Sequence, residues 1–123
     1  QDFSTLNAFK NILNKFEAEI NAGVVVPVVD FSQPFLMSLK PKSLDFIYLD
    51  SSHSYEDTIG ELAAASVILK DNGVLLGDDW HDDSNHRHYG VTKAVREFID
   101  DGKCELLFKP ELAQWGVHFL NKK

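Results

Sequence analysis

LDFIYLDSSHSYEDT, residues 44–58, sets an apolar run of strand length against a polar stretch that holds Asp50, His53, Tyr55, Glu56 and Asp57. A second run, GVLLGDD at 73–79, breaks off the same way, on Asp78 and Asp79. Both are compact, apolar and bounded by turn residues, as expected of strands buried on both faces. Between them, 54–70 carries Tyr55, Ile59, Leu62, Ala63, Val67 and Leu69 on a mostly helical period. Ser54 and Asp57 have capping-box spacing at its start, and DNG (71–73) closes it. Strand, helix, strand is the crossover unit of an α/β sheet.

The flanks extend the alternation. TLNAFKNILNKFEAEINA (5–22) spaces Leu6, Phe9, Ile12, Leu13, Phe16 and Ile20 by three and four, one apolar helical face stopped by Gly23. VVVPVV (24–29) is β-branched, and Pro27 marks it as an edge strand or a bulge. QPFLMSLK (33–40) reads as a short helix with Pro34 in its first turn. VTKAVREFIDDG (91–102) is amphipathic with a glycine stop, and CELLFK (104–109) with WGVHFLNK (115–122) forms a hairpin around Pro110. The order α-β-α-β-α-β-α-β-β predicts an α/β fold: a mainly parallel sheet, helices on both faces and a C-terminal antiparallel hairpin.

At 123 residues a single domain over 1–123 is expected. A net charge of −7 argues against nucleic acid or an anionic membrane as partner, because binding phosphates needs basic patches. Cys104 is the only cysteine, so no internal disulfide forms and a reducing, cytoplasmic setting is expected. No apolar run approaches a membrane span. The chain begins with Gln1 rather than Met, which points to a processed, trimmed or incompletely sequenced product.

Ligands of open α/β sheets bind beyond the carboxyl ends of the strands. Asp50, Asp78 and Asp79 would converge there if their strands are neighbours, and hard oxygen donors from different loops suit Mg²⁺. Capping of helices or plain solvation is the other role open to them. His53, at the mouth of the following helix, is a candidate general base or substrate contact, with a helix-terminal hydrogen bond as its bland alternative. The loop HDDSNHRHYG (81–90) holds His81, His86 and His88 with Asp82 and Asp83 and looks like a transition-metal site, but no spacing matches a zinc pattern, and a mobile, polar, substrate-facing loop is the preferred reading. Trp80 and Tyr89 flank it; Trp80 is expected in the core.

Residues 43–80, followed by GVTKAVREFI (90–99), resemble the C-terminal half of class I S-adenosylmethionine-dependent methyltransferases. The group most alike has D-F-[IV]-[YF]-[IL]-D-G-x-H-x-Y-E at its fourth strand, G-D-D after the fifth, and then a G-V-x-x-A-V helix. The resemblance implies a Rossmann-like fold, a small hydroxylated acceptor and S-adenosylmethionine as cofactor. Through the related metal-dependent O-methyltransferases it implies Mg²⁺ on Asp50, Asp78 and Asp79, and it makes Asp50 and His53 the catalytic candidates. VVVPVVDFS (24–32) is similar to the preceding strand, which ends near the adenine, so Asp30, Phe31 and Ser32 become cofactor-binding candidates. Two features depart from the family. None of the seven glycines lies in its glycine-rich cofactor turn, and Ser51 replaces the usual glycine after the strand-four aspartate. The reading is therefore a partial methyltransferase-like domain, truncated on its N-terminal side or degenerate, inactive by itself and weak or lacking in cofactor affinity. A non-catalytic binding or oligomerisation module derived from that fold is the alternative. A receiver-type domain fails, since no acidic pair follows the first strand and no lysine ends the last parallel one. Exposed sheet edge predicts a homo-oligomer in either case.

Overall fold

In the computed structural model, which describes residues 3–108 and 111–120, the chain divides into two units, Gln1–Asp30 and Phe31–Lys123. The first holds α1 (Phe3–Lys15) and α2 (Glu17–Asn21). The single helix expected over 5–22 is thus interrupted at Phe16, although helical bonding continues through it: Phe16 N–H donates to the Ile12 carbonyl (3.0 Å) and Ile20 N–H to that of Phe16 (2.8 Å). Phe9, Leu13, Phe16 and Ile20 are half-buried, whereas Leu6 and Ile12 are exposed. Gly23, at φ +74°, ends α2 in the left-handed conformation that glycine tolerates best.

Residues 24–29 do not form the expected strand. Val24, Val26, Val28 and Val29 are exposed, and Pro27 removes a backbone donor. A strand exists only through its partners. The family resembled seats two further strands between this segment and 44–50, and the described residues contain neither.

The second unit is α3 (Ser32–Ser38), β1 (Leu44–Leu49), α4 (Tyr55–Ile68), β2 (Leu69–Gly77), α5 (Tyr89–Asp100), β3 (Cys104–Phe108) and β4 (Trp115–Phe119). The sheet order is β1-β2-β4-β3. β1 and β2 are parallel, and β4 runs antiparallel to both of its neighbours. This is a mixed α/β sheet ending in the expected hairpin. With 24–29 outside it, one of its three pairings is parallel, where the sequence reading has a mainly parallel sheet.

Ile47, Leu75 and Val117 point to the side where Leu62, Ala65, Val91, Ala94, Val95 and Phe98 of α4 and α5 close the core. Within this unit α4 and α5 share one face. On the other face the register aligns Tyr48, Leu76, Gly116 and Phe108 in one row, and Phe46 stays 65% and Tyr48 50% exposed.

Two local readings change with the fold. The buried stripe of α4 runs through Thr58, Glu61, Leu62, Ala65 and Ile68, leaving Ala63 and Val67 exposed. ELAAASVI is small or apolar nearly all round, so periodicity alone cannot choose its inner face. Nor does DNG close the helix. α4 stops at Ile68 and β2 starts at once, with 71–73 taken up by an irregularity between the pairs Leu44–Leu69 and Phe46–Val74.

Candidate functional site

The site grows from the ends of β1 and β2. Asp78 N–H donates to the Leu49 carbonyl (3.2 Å), tying the strand ends together so that Asp50, Asp78 and Asp79 leave the sheet side by side. Each offers a carboxylate oxygen, all within 4.8 Å of one another. The convergence expected from the two strand ends is present. Their charges, after burial, raise the Tyr48 hydroxyl above its ordinary range, Asp78 most among the three.

Asp79 has φ +69°, a left-handed conformation more accessible to Asp than to most side chains. This turns its carboxylate toward histidines. His53 Nδ1 lies 2.6 Å from Asp79 Oδ2, and His88 Nδ1 lies 3.0 Å from Asp79 Oδ1. The His53 and His88 rings stack at 3.9 Å. Asp79, only 15% exposed, is thus shared between two imidazoles.

Local sequence explains how His53 and His88 meet. Ser54 caps α4, its side chain accepting the Asp57 N–H at 3.1 Å. Asp57 in turn accepts the Ser52 hydroxyl at 2.6 Å, and these hydroxyl contacts hold its carboxyl below the usual range. The loop carrying His53 is thereby fixed at both ends. Gly90 brings α5 against it: a Cβ there would stand 2.6 Å from the Tyr55 nitrogen and 3.2 Å from the His53 carbonyl. His81 N–H donates to the buried Thr92 hydroxyl at 2.8 Å, and Trp80 packs in the core as expected.

Below the rim, Ser51 donates to Glu61 at 2.5 Å, and Glu61 is 2% exposed. The serine that replaces the family's glycine is therefore the hydroxyl partner of a buried carboxylate. Sequence reasoning missed Glu61, because it sits inside an apolar helix pattern and declares itself only through Ser51. It also left out Tyr48 and the link from His88 to Asp79, which depends on a contact between distant segments.

Among the cofactor candidates, Ser32 opens α3, where Ser51 Oγ donates to its hydroxyl at 3.5 Å. Ser32, Phe35, Leu36, Phe46, Tyr48 and Asp50 help line a groove of about 420 Å³ along β1. Phe31 precedes α3 and is exposed, and Asp30 belongs to the Gln1–Asp30 unit.

With this geometry in view, similarity to known proteins is informative. Solved structures that share the fold include the following three. A Corynebacterium glutamicum protein matches with TM-score 0.61 at 13% identity, over 87% of this chain and 55% of its own. A Podospora anserina methyltransferase bound to S-adenosylhomocysteine matches with TM-score 0.61 at 18%, over 91% and 57%. A Sulfolobus solfataricus protein described as a type 11 methyltransferase matches with TM-score 0.59 at 18%, over 94% and 67%. The chain thus spans little more than half the length of the first two. No curated protein matches it. Residues 2–80 match the model of a methyltransferase domain, a span that includes α1 to α4, β1, β2 and all three rim aspartates, and the chain belongs to that methyltransferase-domain family.

Proposed function

We propose that residues 1–123 are one partial domain of an S-adenosylmethionine-dependent O-methyltransferase acting on a small hydroxylated molecule, with His53 as its general base. The supporting observation is the pairing of His53 Nδ1 with Asp79 at 2.6 Å. A carboxylate on Nδ1 fixes the tautomer that leaves Nε2 to accept a proton from an acceptor hydroxyl. Asp50, which follows β1, is proposed as the second catalytic residue, to orient that hydroxyl. The proton passes to His53 Nε2, and Asp79 stabilises the imidazolium that results.

S-adenosylmethionine would supply an activated methyl group. Asp30, Phe31 and Ser32 are proposed to lie at its adenine end. The glycine-rich turn that cradles it in the family does not occur in residues 1–123, so this chain alone should bind it more weakly than low micromolar, about −8 kcal/mol. Asp50, Asp78 and Asp79 suit Mg²⁺ in kind, as hard oxygen donors that would anchor an acceptor oxygen. Asp79, however, also holds His53 on one oxygen and His88 on the other.

The test is methyl transfer to small hydroxylated acceptors by the polypeptide as the cell makes it. His53→Ala should lower turnover by about 10²–10⁴-fold, the usual worth of a positioned base. Unchanged turnover would remove His53 from the chemistry.

A non-catalytic oligomerisation module is the second reading, favoured by the open sheet face around Phe46, Tyr48 and Phe108. In both readings we propose a homo-oligomer located in the cytoplasm. Among the described residues no helix is long and apolar enough to cross a membrane.

A further inference from the structure

The loop between β2 and α5 holds three imidazoles that the proposed chemistry leaves unused. His81, His86 and His88 each present a ring nitrogen, all within 4.8 Å of one another. The His81 and His86 rings stack at 3.5 Å, and His88 meets His86 edge-on at 5.5 Å. All three are partly buried. The loop is held by its own backbone: His86 N–H donates to the Asp83 carbonyl (2.9 Å), Tyr89 N–H to that of His86 (3.0 Å) and Val91 N–H to that of His88 (3.1 Å).

We propose that His81, His86 and His88 form a binding site for a divalent transition metal ion of the Zn²⁺ kind, with Asp79 as the outer carboxylate that orients His88. His88 Nδ1 is 3.0 Å from Asp79, leaving Nε2 to ligate, the carboxylate–histidine–metal arrangement common to such sites. His81 Nε2 lies 3.8 Å from the same carboxylate, beyond hydrogen-bond reach, and His81 offers a ring nitrogen to the cluster. His86 Nδ1 accepts the His88 N–H at 3.0 Å and exchanges that bond for the metal. Zn–N bonds of about 2.0–2.1 Å draw the three rings closer, and a tetrahedral ion keeps its fourth position for water or substrate. Imidazole donors reject Mg²⁺, so this site is distinct in ion and in ligands from the three-aspartate rim. The spacing H-x₄-H-x-H matches no familiar zinc motif, and only the fold of the loop brings the three rings together.

The proposal does not depend on methyl transfer, and metal binding tests it directly. The chelator-treated chain is titrated with Zn²⁺ by calorimetry, then with Mg²⁺, and with Co²⁺ as a visible-absorption probe of nitrogen coordination. The expected result is a single saturable Zn²⁺ site of about micromolar affinity or tighter. His86→Gln and His88→Ala should each weaken it at least about tenfold, and Asp79→Asn by about 10–100-fold. His118→Ala should leave it unchanged, because that imidazole pairs with Glu105 on the hairpin. Circular dichroism identifies any variant that does not fold, and His86→Gln keeps most of the side-chain volume. Absence of saturable Zn²⁺ binding would overturn the site. So would binding unaffected by both histidine variants, or displacement of Zn²⁺ by Mg²⁺ at similar concentration.

Discussion

Asp79 shows how much one residue's role depends on its surroundings. By position it is the third oxygen of a carboxylate cluster; by contact it is the shared partner of His53 and His88. The difference comes from its left-handed backbone, which aims the carboxylate away from the strand axis and toward the loop. Asp57 carries a prediction at the same scale. Hydroxyls of Ser52 and Ser54 stabilise its ionised form and lower its pKa. A carboxyl with a depressed folded pKa adds stability that is present above its unfolded value, 3.8, and lost as pH falls through the folded one. The stability of Ser52→Ala should therefore approach that of the parent protein as pH falls below about 4. Thermal unfolding of both between pH 7 and 3 measures this, and a gap that stays constant with pH would refute it.

Among the elements, the approach of α5 to the start of α4 matters most to the site. Gly90 permits it, since a Cβ would press on the Tyr55 backbone nitrogen, which cannot move as a side-chain tip can. Gly90→Ala should cost about 1–3 kcal/mol by overpacking and separate the stacked rings of His53 and His88. Urea unfolding reports the first effect, and the imidazole resonances of the two histidines report the second. A midpoint equal to that of the parent protein would show that the helices can part freely. Tyr55 donating to Glu97 supplies a second tie between α4 and α5, so the damage should stay local rather than unfold the core.

At the scale of the molecule, the sheet has one face closed by α4 and α5 and another carrying the Tyr48–Leu76–Gly116–Phe108 row. Gly116 makes room there for the Phe108 ring, which a Cβ would meet at 2.6 Å. A continuous apolar row with Phe46 and Tyr48 largely in water favours self-association. Sedimentation equilibrium at micromolar concentration should give a mass above that of one chain, rising with concentration. Phe46→Ser should lower the association. A monomer at every concentration would refute the proposed homo-oligomer.

The sequence alone determined the strand–helix–strand unit of 44–79, the C-terminal hairpin and the arrival of Asp50, Asp78 and Asp79 at one rim. Each of these rests on local periodicity and on where apolar runs end, and a short contiguous stretch carries such information. It also carried the family resemblance, since motif order and helix length lie in one continuous segment. The tertiary structure decided what local pattern leaves open. It kept 24–29 out of the sheet, because a β-branched run becomes a strand only beside a partner. It chose the inner face of α4, because nearly every face of that helix is apolar. It also gathered His53, His81 and His88 around Asp79, with His86 stacked on His81, because contacts across the start of α5 are set by packing and have no spacing of their own in the chain.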